Sequence, residues 1–323
     1  MRETVPVFVV LPPRTLLLDV AGPVEVLRKA NQVQDRITFE VAFVGPWGSL
    51  ASSIGLTLAA IAPLPENLPE GALVVVSGSA DPPGEGDPAD EAAEAAIVAW
   101  LEGAIRPGIR LVTICSGAML AARAGLLDGH ACTTHFGLCA ELATAAPRAR
   151  VLEDRLFVED GERLTSAGVT AGIDLMLHLV QGLAGPAAAA AVARALVVYL
   201  RRAGSDPQLS PFLVGRNHLH PAVHRVQDLI AADPAKAWTL EMLAASAGAS
   251  PRHLSRLFNE HAGMSIPDYV NGLRVALARE LLNQTRLDME RVAERAGFAS
   301  PRQLRRAWSR HHPEPPRMAR AAR

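Results

Sequence analysis

Cysteine is scarce in this chain and long apolar runs are missing from it. Cys115, Cys132 and Cys139 are the only cysteines. They form neither a C-x-x-C pair nor an even set, which excludes a disulfide framework and a structural zinc and fits a reducing compartment. No run of about 18 apolar residues is available to cross a bilayer. The N-terminus also lacks the basic flank, apolar stretch and small-residue cleavage site of a secretory signal. A soluble, cytoplasmic protein without membrane contact is therefore expected. His130, His178 and the histidines near residue 220 lack ligand spacing, so neither a metal nor a cofactor is expected.

A length of 323 residues at 49% hydrophobic composition suffices for two ordinary domains. The formal net charge of −1 conceals an asymmetry. Residues 1–215 carry 15 basic and 23 acidic side chains, a balance of −8, whereas residues 216–323 carry 17 and 10, a balance of +7. Clustered cations of this kind suit phosphate neutralisation, although solvated surfaces also vary in charge.

Short β-branched runs at Val5 to Leu11, Phe39 to Val44, Leu73 to Val76 and Ile109 to Ile114 alternate with helical patterns. The pattern predicts a doubly wound α/β domain with a parallel sheet. The first helix is expected over roughly Gly22 to Asn31, with Pro23 at its first position, and another over Glu91 to Leu101. Loops are expected at 62–70 and 80–90, and a hairpin within 150–165 around Asp160-Gly161. Two alanine-rich helices, about 170–182 and 186–201, close the domain. The aperiodic segment RAGSDPQLSPFLVGRNH reads as a linker.

From His220 onward the pattern is helical and contains a repeat: SPRHLSRLF at Ser250 to Phe258 returns as SPRQLRRAW at Ser300 to Trp308, an offset of 50 residues. Each copy follows a helix with small apolar residues and a turn glycine, Gly248 or Gly297. Ser250 and Ser300 are natural N-caps, with Pro251 and Pro301 behind them. Leu254, Leu257 and Phe258, like Leu304, Ala307 and Trp308, share one face. Arg252, Ser255 and Arg256, or Arg302, Gln303, Arg305 and Arg306, lie on another. Arginine donates two hydrogen bonds to guanine and also anchors phosphates, so these are the candidate DNA-binding residues; the plainer reading is a solvated, arginine-rich helix face. This part of the chain resembles the AraC family, whose DNA-binding domain holds two helix-turn-helix units joined by a long helix, here Ile266 to Asn283. Phe258, Gly263, Pro267, Gly297, Phe298 and Trp308 match that pattern. The end departs from it: the chain reads Pro313-Glu-Pro-Pro-Arg-Met-Ala-Arg where Gly-x-Ser-Pro-x-x-Tyr-Arg is usual. Two recognition helices on one domain would enter successive major-groove segments about 34 Å apart.

In the first domain, LVTICSGAMLAARAGLL reads as a buried strand ending at Cys115, then Ser116-Gly117 and an amphipathic helix, the strand-turn-helix form of a nucleophile elbow. A helix N-terminus would stabilise a thiolate and favour reactivity. The plainer reading is a small buried hydrophobe at a strand end. The strings LDVAGPVEVL, ICSGAMLAARAGLLDG, ACTTHFG and LTSAGVTAGIDLML resemble the class I glutamine-amidotransferase-like superfamily, in particular its ThiJ/PfpI branch and the isocyanide hydratases, over about residues 4–200. The resemblance implies a flavodoxin-like fold, a reactive sulfur at Cys115, a carboxylate near it at Asp19 and a histidine approaching it at His135. Backbone N–H groups of Ser116 and Gly117 could stabilise an anion there. Ser116 stands where proteolytic relatives have histidine and hydratases usually threonine, and Ser77-Gly78-Ser79 stands where Pro-Gly-Gly is expected.

An amidotransferase-like domain fused to an AraC-type domain is the arrangement of GlxA-type regulators. It implies an old active-site pocket that now holds a small-molecule effector. The expected layout is an effector-sensing and dimerisation domain over 1–203, a linker over 204–219 and an all-α DNA-binding domain over 220–323. The expected partners are double-stranded DNA, an effector, a second copy of the chain and RNA polymerase. Two alternatives stay open: a hydratase or amidase using Cys115, and a redox sensor switched by Cys115 oxidation.

Overall fold

The computed structural model describes residues 2–80, 87–198, 202–206, 208, 214–216, 218–312 and 315–319. Outside these lie 81–86 of the turn-rich stretch, 199–201 of the second alanine-rich stretch, 207, 209–213 and 217 of the expected linker, and Pro313, Glu314 and Arg320 of the C-terminal departure. The chain divides into two compact units, Met1–Gln208 and Leu209–Arg323.

In the first unit the elements run β1 (Glu3–Val10), α1 (Leu17–Val33), β2 (Ile37–Gly45), β3 (Ser49–Ala51), β4 (Thr57–Ala59), β5 (Ala62–Pro63), β6 (Leu73–Val76), α2 (Pro88–Ala104) and β7 (Arg110–Ile114). They continue with α3 (Gly117–Arg123), β8 (Ala131–Cys132), α4 (Cys139–Ala145), β9 (Arg150–Val151), β10 (Phe157–Asp160), β11 (Arg163–Ser166), α5 (Ala171–Ala184) and α6 (Pro186–Ala195). Seven strands form one sheet in the order β10-β11-β7-β6-β1-β2-β5. All its pairings are parallel except that of β10 with β11. This is the doubly wound α/β fold the patterning predicts.

The near-continuous apolar runs follow from burial on both faces. Because successive side chains alternate, Val7, Val9, Leu73, Val75, Val112 and Ile114 meet α1, α5 and α6 on one side. Val10, Val74, Val76 and Leu111 meet α2 and α3 on the other. β10 and β11 close around Asp160-Gly161, with Gly161 at φ +62° as a tight turn requires. The expected loop over 62–70 begins with the edge strand β5.

Several boundaries differ: α2 spans Pro88–Ala104, beyond the expected 91–101 at both ends, α6 ends at Ala195, short of the expected 201, and the start of α1 departs furthest in its chemistry. α1 begins at Leu17, five residues before the expected start, and Pro23 lies inside it. The proline forfeits one backbone bond in the second turn, but Val20, Pro23, Val26, Leu27 and Ala30 form a continuous buried stripe, and burial outweighs the lost bond.

Among the described residues the regular elements of the second unit are helices: α7 (Pro221–Ala232), α8 (Leu240–Ala247), α9 (Pro251–Ala262), α10 (Ile266–Gln284), α11 (Met289–Arg295) and α12 (Pro301–Trp308). Two cores lie along α10. Ile266, Tyr269, Val270 and Leu273 pack with α7, α8 and α9. Val275, Ala278 and Leu282 pack with α11 and α12. The turns of the two helix pairs α8-α9 and α11-α12 carry Gly248 at φ +65° and Gly297 at φ +82°, conformations that glycine adopts without steric penalty. No described helix is long and apolar enough to cross a membrane.

Candidate functional site

Two sites emerge, one in each unit. In the second unit, Ser250 Oγ accepts from His253 N and Ser300 Oγ from Gln303 N, each at 3.3 Å, so both repeat helices start from a side-chain cap. Leu254, Phe258, Leu304, Ala307 and Trp308 are buried. Arg252, Arg256, Arg302, Gln303, Arg305 and Arg306 are exposed, and Ser255 is half-buried. The division of faces is the one the repeat predicts.

Unlike several other arginines of the unit, the arginines on these two faces have no carboxylate partner among the described residues. Elsewhere in the unit, Arg216 pairs with Asp228, Arg291 with Glu294 and Arg310 with Asp268. Arg225 and Arg274 donate to backbone carbonyls. Arg252, Arg256, Arg302, Arg305 and Arg306 form no ion pair with any described residue. Arg256 is near only His253 Nδ1, at 3.4 Å. Five uncompensated guanidinium groups on two helix faces leave positive potential where an anionic backbone would meet them. Gln303 is partly committed: its Oε1 accepts from the backbone N–H of Ala299, the residue before the cap, at 2.9 Å.

In the first unit, β7 ends at Ile114 and α3 starts at Gly117, with Cys115 between them at φ +54°, a strained conformation for a residue with a side chain. The strain is held from three sides. Cys115 N donates to Ser166 O at 3.1 Å and Cys115 O accepts from Thr134 Oγ1 at 2.8 Å. A Cβ on Gly168 would lie 2.2 Å from Cys115 Cβ, and one on Gly78 would lie 2.9 Å from it. Gly117 lets α3 approach β6, since a Cβ there would fall 2.4 Å from Val76 O. The sequence pointed to Gly117. It did not mark Gly78 and Gly168 as walls of the same turn, although each follows a strand end.

Asp19, 1% exposed, lies against the thiol. Its Oδ1 accepts from Val169 N at 2.6 Å. Burial raises its pKa to about 6, against the opposing hydrogen bond from Val169 N and the weaker pull of the nearby Gly78 N–H and Cys115 thiol. The Cys115 thiol is itself pushed up to about 12, chiefly by burial and then by the Asp19 charge, with the Ser116 N–H opposing. This overturns the expectation of a thiolate favoured by the helix N-terminus: α3 is only seven residues long, and desolvation with a neighbouring carboxylate outweighs its dipole. The turn thus has the shape of a nucleophile elbow, while burial and the Asp19 carboxylate disfavour the thiolate that a nucleophile needs.

Cys115, Ser116 and His135 line one cavity of about 840 Å³; Asp19 and Gly117 stand outside its lining. Ser116 Oγ accepts from Ser79 N at 2.8 Å and so ties the 77–79 loop to the turn. His135 is half-buried, its Nδ1 accepts from Gly137 N at 3.3 Å, and burial lowers its pKa, which keeps the ring neutral. Apolar walls come from Leu16, Met119, Leu120, Leu138 and Val169, none of which the sequence singled out. Cys132 and Cys139 are buried.

Residues 202–206 and 208 are fastened beside this region. Arg202 binds the buried Asp174 through Nε at 3.0 Å and Nη2 at 2.5 Å, and reaches Thr170 Oγ1 at 2.9 Å. Gln208 Nε2 donates to Thr134 O at 2.8 Å.

Comparison with known proteins places both sites in context. Residues 6–182 match the DJ-1/PfpI family, and residues 243–322 match a helix-turn-helix domain family. The HTH-type transcriptional regulator GbdR of Pseudomonas aeruginosa is 32% identical over 310 residues, covering 93% of this chain and 80% of that protein. The HTH-type transcriptional regulator GlxA of Rhizobium meliloti is 32% identical over 300 residues, covering 91% and 89%. Among solved structures, a ThiJ/PfpI family protein from Pseudomonas syringae shares the fold with a TM-score of 0.51 at 21% identity, covering 77% of this chain and 91% of that one.

Proposed function

The chain belongs to the DJ-1/PfpI family and to the HTH-type transcriptional regulators that carry such a domain ahead of an AraC-type helix-turn-helix domain, and from that premise we propose how it reads DNA and what controls it. It is a DNA-binding transcriptional regulator and not an enzyme. In our reading α9 and α12 are the recognition helices. Arg252, Ser255, Arg256, Arg302, Gln303, Arg305 and Arg306 divide base-edge and phosphate contacts between them. The observation that carries this is the set of five unpaired arginines on two N-capped helices of one repeated unit.

The cavity beside Cys115 is the effector site. Its volume of about 840 Å³ is of the size that encloses a small metabolite, and a neutral thiol serves there as wall and not as nucleophile. Residues 1–203 sense the effector and pair two copies, 204–219 link, and 220–323 bind the operator in the cytoplasm and present the regulator to RNA polymerase. Coupling requires that the effector favour one arrangement of the protein over another.

The test is selection of genomic DNA fragments by the purified full-length protein at moderate and raised salt, with Arg256→Ala and Arg306→Ala alongside. One enriched motif is expected, with each variant losing about 5- to 150-fold of affinity at its own contacted positions. Motif-free binding that disappears with salt would sink the reading.

A further inference from the structure

We propose that Arg274 and the loop over residues 233–238 fix the spacing of the two recognition helices, so that this regulator discriminates operators by the distance between their two boxes. The proposal rests on the reading that α9 and α12 both enter the major groove.

The cores beneath the two helix pairs share no residue, and α10 joins them. A single helix transmits bending and torsion, so a fixed spacing needs a second link. The loop between α7 and α8 provides it. Within the loop, Trp238 Nε1 donates to Asp233 O at 2.8 Å, Lys236 Nζ sits 4.5 Å from the Trp238 ring centre, and Trp238 packs on the first core. The loop therefore moves with the first helix pair.

From the middle of α10, Arg274 holds the loop at two points: Nε donates to Pro234 O and Nη2 to Lys236 O, each at 2.8 Å. The residue between those carbonyls, Ala235, is thereby presented to the second pair. Its backbone lies where a Cβ on Gly297 would be: 2.5 Å from Ala235 O, 2.7 Å from its Cα and 2.9 Å from its carbonyl carbon. Gly297, at φ +82°, is the turn between α11 and α12. One planar guanidinium thus joins the first pair, the connecting helix and the turn of the second pair, with a two-pronged donor geometry that a lysine ammonium does not reproduce. Arg274 carries no base contact in this scheme; it is a positioning residue.

Inserting one base pair between two boxes displaces the second by about 3.4 Å and rotates it by about 34°. A rigid pair of helices cannot follow that change, and a loosened pair can. The experiment uses the full-length protein and the duplex it selects from random sequence. The two boxes are respaced by one base pair in either direction, and two further duplexes have one box scrambled. Wild type should lose at least about tenfold in affinity on respacing, within the range of a mismatched contact. Arg274→Met, which keeps the apolar stem, should lose less than about threefold on respacing while binding each single-box duplex within about twofold of wild type. Gly297→Ala, which forces Ala235 away, should likewise alter the spacing profile. Three results overturn the proposal: a wild type indifferent to spacing, an Arg274→Met protein with the wild-type profile, or an Arg274→Met protein that has lost single-box binding as well. Failure of the underlying recognition reading is separately visible, because Arg256→Ala and Arg306→Ala would then leave the selected motif unchanged.

Discussion

Replacing Asp19 by asparagine removes an ionisable group whose environment in the folded chain differs sharply from water, and the size of the effect follows from that difference. The carboxyl holds its proton up to about pH 6 in the folded chain, against a reference of 3.8. Between those values the folded state binds more protons than the unfolded state, so stability contributed by this group falls as pH rises from about 4 to about 6 and is flat above. Two pKa units at about 1.4 kcal/mol each give a penalty of about 3 kcal/mol at neutral pH. Asparagine keeps the acceptor for Val169 N but buries an amide where Asp19 Oδ2 has no hydrogen-bond partner, which costs roughly 1 kcal/mol at any pH. Asp19→Asn should therefore be the less stable protein at pH 4 and the more stable one, by roughly 2 kcal/mol, at pH 7.5. The assay is hydrogen exchange of the full-length pair from pH 4 to 7.5, read on peptides covering β1, β6 and β7 so that the second unit does not contribute. The difference between the two proteins isolates the one group. A difference that stays constant across this range refutes the assigned burial and ionisation of Asp19.

Two further outcomes follow from the same turn. Gly168→Ala demands a positive φ from alanine and puts its Cβ 2.2 Å from Cys115 Cβ; it should lower the melting temperature of the first unit by roughly 10 °C, whereas Gly182→Ala in α5, with open space at its Cβ, should raise stability by roughly 0.5–1 kcal/mol. With all three thiols buried and Cys115 pushed up to about 12, the native protein at pH 7.5 should release no rapid equivalent to a disulfide reagent while the unfolded chain releases three; a one-equivalent burst would mean that Cys115 is activated after all.

What the sequence made legible was local. Strand β6 is a run of four apolar residues buried on both faces, and the Ser-Pro starts of α9 and α12 are capping chemistry written in adjacent residues. The arginine faces followed from helical spacing alone. Less legible was whatever depends on tertiary neighbours. Pro23 suggested a helix start because its local preference says so, while the stripe around it settles the matter through burial. The pKa of Cys115 is pushed up first by desolvation that no local string encodes, and then by Asp19, 96 positions away. Arg274 looks like one more surface cation until its carbonyl partners, 38 and 40 residues earlier, come beneath it.

The division of α10 between two cores also bears on how the second unit comes apart. Ile266, Tyr269, Val270 and Leu273 complete one bundle, and Val275, Ala278 and Leu282 complete the other. Neither bundle has a full set of walls without this helix, so melting one strips apolar cover from the other. Two copies of a motif that look separable on the page therefore behave as one cooperative block, and neither repeat can be excised as a working half.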